Sequence, residues 1–159
     1  MVETMTDDDL FTNISLELKN KLENLTDPNN NLIFKKVLLG FNENKVKIQG
    51  DGVVAICYVT GSTDYRETFG RRNIPQYITS VVGFIVRGSD EKKYLKAMRI
   101  KDYLRQTLEH DKDFYCLIDD EGKHIVRNTL IMNTAVRFDA ITTKTDILVA
   151  FDLRHHVFK

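Results

Sequence analysis

The chain has 159 residues, 42% apolar and 29% charged, and its 23 basic residues are balanced by 23 acidic ones. That composition describes one folded domain burying roughly 70% of its unfolded surface, and it excludes a disordered chain. A net charge of zero leaves no global field to draw the protein onto nucleic acid. No apolar run approaches the ~20 residues of a membrane-spanning helix.

Asp7, Asp8 and Asp9 offer caps and favourable charge for the N-terminus of a first helix. Phe11, Ile14, Leu18, Leu22 and Leu25 then recur three and four apart, one apolar stripe, until Asp27-Pro28 and Asn29-Asn30-Asn31 end it. The acidic start lacks the basic and apolar parts of a signal peptide. Leu32 to Phe41 reads as a strand, and Asn42-Glu43-Asn44 turns the chain. Gly50-Asp51-Gly52 marks another turn before a buried strand over Val53 to Val59, rich in β-branched residues. Ile78 to Val86 repeats that signal, with Ile78, Val82, Phe84 and Val86 on one face. Between these two strands, Thr60 to Gln76 is a polar stretch carrying Tyr65, Arg66, Phe69, Arg71 and Arg72. Connections that long in a compact domain are usually functional, and this one reads as a protruding arm.

Ser89, Asp90 and Glu91 open a second helix whose face is predicted from Tyr94, Met98, Lys101, Leu104 and Leu108, widened by Ala97 and Ile100. Its many lysines and arginines read as a solvated face. Phe114 to Ile118 is predicted as a short strand and Asp119-Asp120-Glu121-Gly122 as a turn. Two alternating runs, His124 to Phe138 and Thr145 to Val157, then fill the C-terminus, each with one drier face. The short link Thr142-Thr143-Lys144 makes them an antiparallel hairpin. The order implies an α+β domain over residues 1–159: a mostly antiparallel sheet, two main helices on one face, and a hairpin arm over 60–76.

A search for chemistry finds little. Cys57 and Cys116 lie in apolar runs without a partner at metal-ligand spacing, and read as buried free thiols of a reducing compartment. His155 and His156 point to opposite faces of a strand and cannot chelate one ion, while His155 falls on the drier face. The acids at 119–121 lack the alternating ligands of a calcium loop. No glycine-rich loop leads into a helix with a lysine, and no serine sits in a glycine-flanked elbow. The arm's arginines and aromatics are types that bind nucleic acid, but Asp64 and Glu67 intervene. Salt bridges or a subunit contact explain them more simply. The expectation is no enzyme, no cofactor and no metal.

The layout resembles the tail terminator (tail completion) proteins of long-tailed bacteriophages. The resemblance runs from Phe11 to Val157. It rests on the amphipathic first helix, the strand Val37-Leu38-Leu39-Gly40-Phe41, and the strand Ala55 to Val59 leading into Thr60-Gly61-Ser62. It continues with Phe84-Ile85-Val86-Arg87-Gly88 running into the lysine-rich helix, and with the C-terminal hairpin. It implies a non-catalytic virion subunit, assembled in the host cytoplasm into a ring, usually a hexamer, at the head-proximal end of the tail. Its implied partners are copies of itself, the tail tube protein and the head-completion or connector protein. DNA would pass through the lumen without specific binding. Tyr65, Arg66, Phe69, Arg71 and Arg72 would make the subunit contact. A neck or head-completion adaptor, also non-catalytic, is the alternative.

Overall fold

The computed structural model describes residues 7–40, 52–65, 74–118, 122, 124–139 and 145–157. In chain order the elements are α1 (Asp7–Glu23), β1 (Lys36–Leu39), β2 (Val53–Tyr65), β3 (Ile74–Val86), α2 (Glu91–His110), α3 (Lys112–Tyr115), β4 (Val126–Asp139) and β5 (Asp146–Val157). The fold is α+β. Among the described residues five strands form one sheet in the order β1-β2-β3-β5-β4. Only β1 and β2 are parallel; the other three pairings are antiparallel.

Both main helices cover the same face of the sheet. The stripe Ile14, Leu18, Leu22 and Leu25 is buried as its spacing predicts, and α1 lies against β1 and β2. Helix α2 lies against β4 and β5 through Ala97, Leu104, Thr107 and Leu108. Its buried stripe is therefore rotated from the predicted one, and Tyr94 is left 40% exposed. The sheet answers with Ala55, Cys57, Val82, Phe84, Val86, Ile147, Val149, Phe151 and Leu153, all in one apolar cluster with the helices. Asp90 caps α2 by accepting from the Lys93 amide at 2.8 Å. The Tyr103 hydroxyl donates to the Thr26 carbonyl at 2.7 Å, fixing α2 to the segment that follows α1. At the β3–α2 corner Gly88 takes φ +94°, and its amide donates to buried Asp146 at the start of β5. A side chain there would be strained, which is why glycine occupies the corner.

Three sequence expectations change. Phe114 to Ile118 is not a strand: its first two residues, Phe114 and Tyr115, end α3, which is started by the Asp111 side chain accepting from the Asp113 amide. Phe114 and Leu117, three apart, are both buried, so core packing overrides the β propensity of the run. A bridge between Ile118 and His124, with the Ile125 and Val126 amides donating to the Leu117 carbonyl at 2.9 and 3.2 Å, joins the end of this run to the start of β4. The strand expected over Leu32 to Phe41 shrinks to Lys36–Leu39, because Leu32 is held in a bridge with Thr26 and Phe34 is buried against Phe84 with ring centroids 6.0 Å apart. The polar stretch after Val59 does not leave the sheet: β2 continues to Tyr65 and β3 begins at Ile74, paired with it. Threonines suit an extended strand, and the Thr60 and Thr79 hydroxyls bond across it at 2.7 Å.

The alternation of the C-terminal runs is regular in β5 and broken in β4. Every odd residue of β5 from Ile147 to Val157 is buried under the helices. Strand β4 carries register shifts at Arg127 and at Met132, so Thr129 and Ile131, then Thr134, Val136 and Phe138, face the helix side. At the centre, β3 and β5 approach so closely that a Cβ on Gly83 would lie 2.8 Å from the Val149 carbonyl oxygen. Gly83→Ala is therefore expected to cost about 1–3 kcal/mol in urea denaturation. Gly61→Ala, whose Cβ would meet nothing nearer than 3.8 Å, should cost less.

Candidate functional site

The strongest surface feature is β4, which forms an edge of the sheet without a further strand among the described residues. Leu130 (52% exposed), Met132 (51%), Val136 (39%) and Phe138 (56%) all lie on this one strand. They occupy both faces: Leu130 pairs with Arg154 on the side away from the helices, while Val136 and Phe138 pair with Val149 and Ile147 on the helix side. Met132 sits at the register shift between Ile131 and Asn133. The Phe138 ring stacks on Tyr94 of α2, centroids 6.3 Å apart, which extends the apolar strip onto the helix. A long edge strand with large apolar residues on both faces invites pairing with another chain.

The opposite edge is incomplete. Strand β1 stops at Leu39 opposite Cys57, and the Gly40 amide closes the pairing on the Cys57 carbonyl at 2.9 Å. Among the described residues nothing pairs with the outer edge of β2 from Tyr58 to Tyr65. Of the residues expected at a subunit contact, Tyr65 ends β2 opposite Ile74 at the far end of this hairpin. Arg66, Phe69, Arg71 and Arg72 lie outside the described residues.

The face away from the helices is divided. Near β1 it is apolar, with Val54, Ile56 and Ile85 buried and Leu38 and Leu148 packed beside Val54 and Ile85. Toward the hairpin it becomes polar and aromatic. Tyr77 and His156 stand ring to ring at 5.1 Å, and the Arg154 guanidinium lies 5.1 Å from the Tyr77 centroid. Sequence periodicity placed these residues on the less buried face of β5, but not beside Tyr77; only the pairing of β3 with β5 does that.

His155 is buried completely on the helix side, as its position in the alternation predicts. Its Nε2 lies 2.6 Å from Ser80 Oγ and its Nδ1 2.8 Å from Thr129 Oγ1. One ring nitrogen donates and the other accepts, and each hydroxyl takes the complementary role. The set superficially resembles a serine–histidine relay, but threonine stands where a carboxylate would be. Ser80 is 1% exposed, so its hydroxyl has no access to a substrate. The network instead ties β3, β5 and β4 together. Burial pushes the His155 pKa down to about 4.

Cys57 and Cys116 are free thiols, both buried, and burial pushes the Cys57 pKa up to about 12. Cys116 Sγ lies 3.4 Å from His124 Nδ1. Among the described residues no three metal-ligating side chains gather at one point. No helix among them is long and apolar enough to cross a membrane. A groove of about 890 Å³ runs between α2 and the segment after α1, with Ile33, Phe34, Val53 and Ile100 among its apolar lining and Lys35, Lys96 and Arg99 among its polar lining. The chain matches no protein-family model and no curated protein.

The His155 network generates a pH dependence. With a folded pKa near 4 against 6.5 for the free group, the unfolded chain binds more protons between those values. Stability is therefore complete above pH ~6.5 and falls as pH drops toward 4, by on the order of 3 kcal/mol in total. His155→Phe should remove this part of the slope in urea titrations run from pH 4 to 7. At pH 7 it should also cost about 1–3 kcal/mol for each hydroxyl left without a partner.

Proposed function

We propose that this chain is a structural subunit of the tail-terminator kind, which closes into a ring of six copies at the head-proximal end of a phage tail tube. The observation that carries the proposal is the free β4 edge with Leu130, Met132, Val136 and Phe138 exposed along it. A monomer that left this strip in water would be prone to aggregation, whereas a ring covers it in every subunit. The second support is the β2–β3 hairpin, whose outer β2 edge has no partner beyond Cys57 among the described residues and which leads toward the candidate contact residues from Tyr65 to Arg72. The resemblance of the element order to tail terminators supplies the biological setting. In that setting the ring ends tube polymerisation and presents a surface to the head-completion or connector protein, while DNA passes through its lumen. Burial of Ser80 and His155 away from solvent suits a subunit without catalysis.

A second reading, a head–tail adaptor that acts through a different protein, is favoured by the groove beside α2. Its apolar lining with Lys35, Lys96 and Arg99 suits an acidic peptide with an aliphatic anchor.

Light scattering on a size-exclusion column, over a range of concentrations, separates the two readings. The ring reading expects a species near six times 18.4 kDa, or a concentration-dependent climb toward it. An 18.4 kDa monomer at every concentration would favour the adaptor. Phe138→Asp is expected to weaken association at least about tenfold, or 1.4 kcal/mol, without loss of the circular dichroism of the fold. Replacing Tyr65 and Phe69 with alanine should also weaken the ring while leaving the monomer folded. An unchanged oligomer would remove those two residues from the contact.

A further inference from the structure

We infer that the N-terminal half of β4 in one copy docks antiparallel along the outer edge of β2 in the next copy, at residues Tyr58 to Tyr65, where no partner stands among the described residues. This rests on the ring reading and names the surface that its exposed β4 edge meets.

The inference comes from the level at which the two open edges stand. The strand pairings define rows across the sheet, among them Thr63-Tyr77-His156-Asn128, Gly61-Thr79-Arg154-Leu130 and Tyr58-Val81-Asp152-Asn133. The open stretch of β2 is therefore level with the part of β4 that exposes Leu130 and Met132. Strand β2 runs opposite in direction to β4, because β2, β3, β5 and β4 are successively antiparallel. Copies placed side by side with their helices on the same face thus bring these edges together as an antiparallel pair. Charge agrees with this alignment. In backbone register Asp64 follows Thr63, and Arg127, at the β4 register shift, adjoins Asn128 of the same row, so the alignment sets an acidic position of one copy level with a basic position of the next. Leu130 faces the side away from the helices, as does Thr79, to which the exposed Thr60 hydroxyl is bonded. The contact uses a different edge from each copy and is therefore heterologous, the kind that generates rings when its rotation closes.

The test is a pair of engineered thiols, Leu130→Cys and Thr60→Cys, in the full chain; the native cysteines are buried. Cross-strand neighbours lie within disulfide reach. On mild oxidation the double variant should give a ladder of covalent oligomers, and each single variant should give none. A ring of unchanged mass that yields no ladder would overturn the edge assignment and leave the ring reading standing. So would Leu130→Cys crosslinking to itself, since that places two β4 edges face to face. A wild-type chain that stays monomeric at every concentration would overturn both. As a second measurement, Asp64→Arg should weaken association about tenfold and Arg127→Asp in the same chain should restore it. Failure of the double exchange to restore what Asp64→Arg loses would count against the alignment.

Discussion

The pairing of β3 with β5 is the constraint on which the rest of the structure depends. Its register runs without interruption from Tyr77 opposite His156 to Val86 opposite Ile147. Strand β5 follows β4 in the chain, and β3 belongs to the hairpin with β2, so this one ladder joins the N-terminal and C-terminal strand pairs. Two features hold it in place. Gly83 lets the strands approach to a distance that any side chain would oppose, and His155 spans from Ser80 on β3 to Thr129 on β4. The buried network is satisfied at both ring nitrogens. It acts as an alignment device inside an otherwise apolar layer, since a one-residue slip would expose the ring and bury Arg154 or His156 in its place.

The β3–β5 ladder is regular; beyond its end β3 carries an extra residue, Gln76, opposite Thr63 and Asp64, and the other irregularities fall in the strands on either side. Strand β2 shifts at Thr60, and β4 shifts at Arg127 and Met132. Each of these strands has an edge, or part of one, without a described partner. The shift at Met132 changes which residues face the helices, and it leaves Leu130 and Phe138 exposed on opposite faces of one strand. An apolar strip wrapped around an edge differs from an apolar face: a helix could cover a face, but only another strand satisfies the backbone of an edge as well. That physical difference favours assembly through strand edges over capture of a small ligand.

Much of the fold was legible in the sequence. The stripe of α1, the Asp90 cap, the alternation of β5 and the burial of His155 all follow from local periodicity and capping chemistry. The misreadings share one cause. Phe114 to Ile118 has the composition of a strand, but its first two residues belong to α3, with Phe114 buried from that helix and Leu117 buried just beyond it. Thr60 to Thr63 has the composition of a loop but is strand, because β3 offers partners for its backbone and the Thr79 hydroxyl bonds that of Thr60. The rotated face of α2 follows likewise from packing against β4 and β5, which chooses Ala97 and Thr107 over the larger Tyr94.

The sequence by itself determined the class of fold, the two helices on one face, the terminal strand pair and the burial of both cysteines, since each depends on the periodicity of neighbouring residues. Only the tertiary structure decided the strand order, the parallel placement of β1, the short reach of that strand along β2, and the exposure of β4. These depend on which strands meet across long separations, and on where one strand ends against another. Periodicity along a single strand records which residues seek burial. It carries no record of which neighbour, if any, lies beyond the edge.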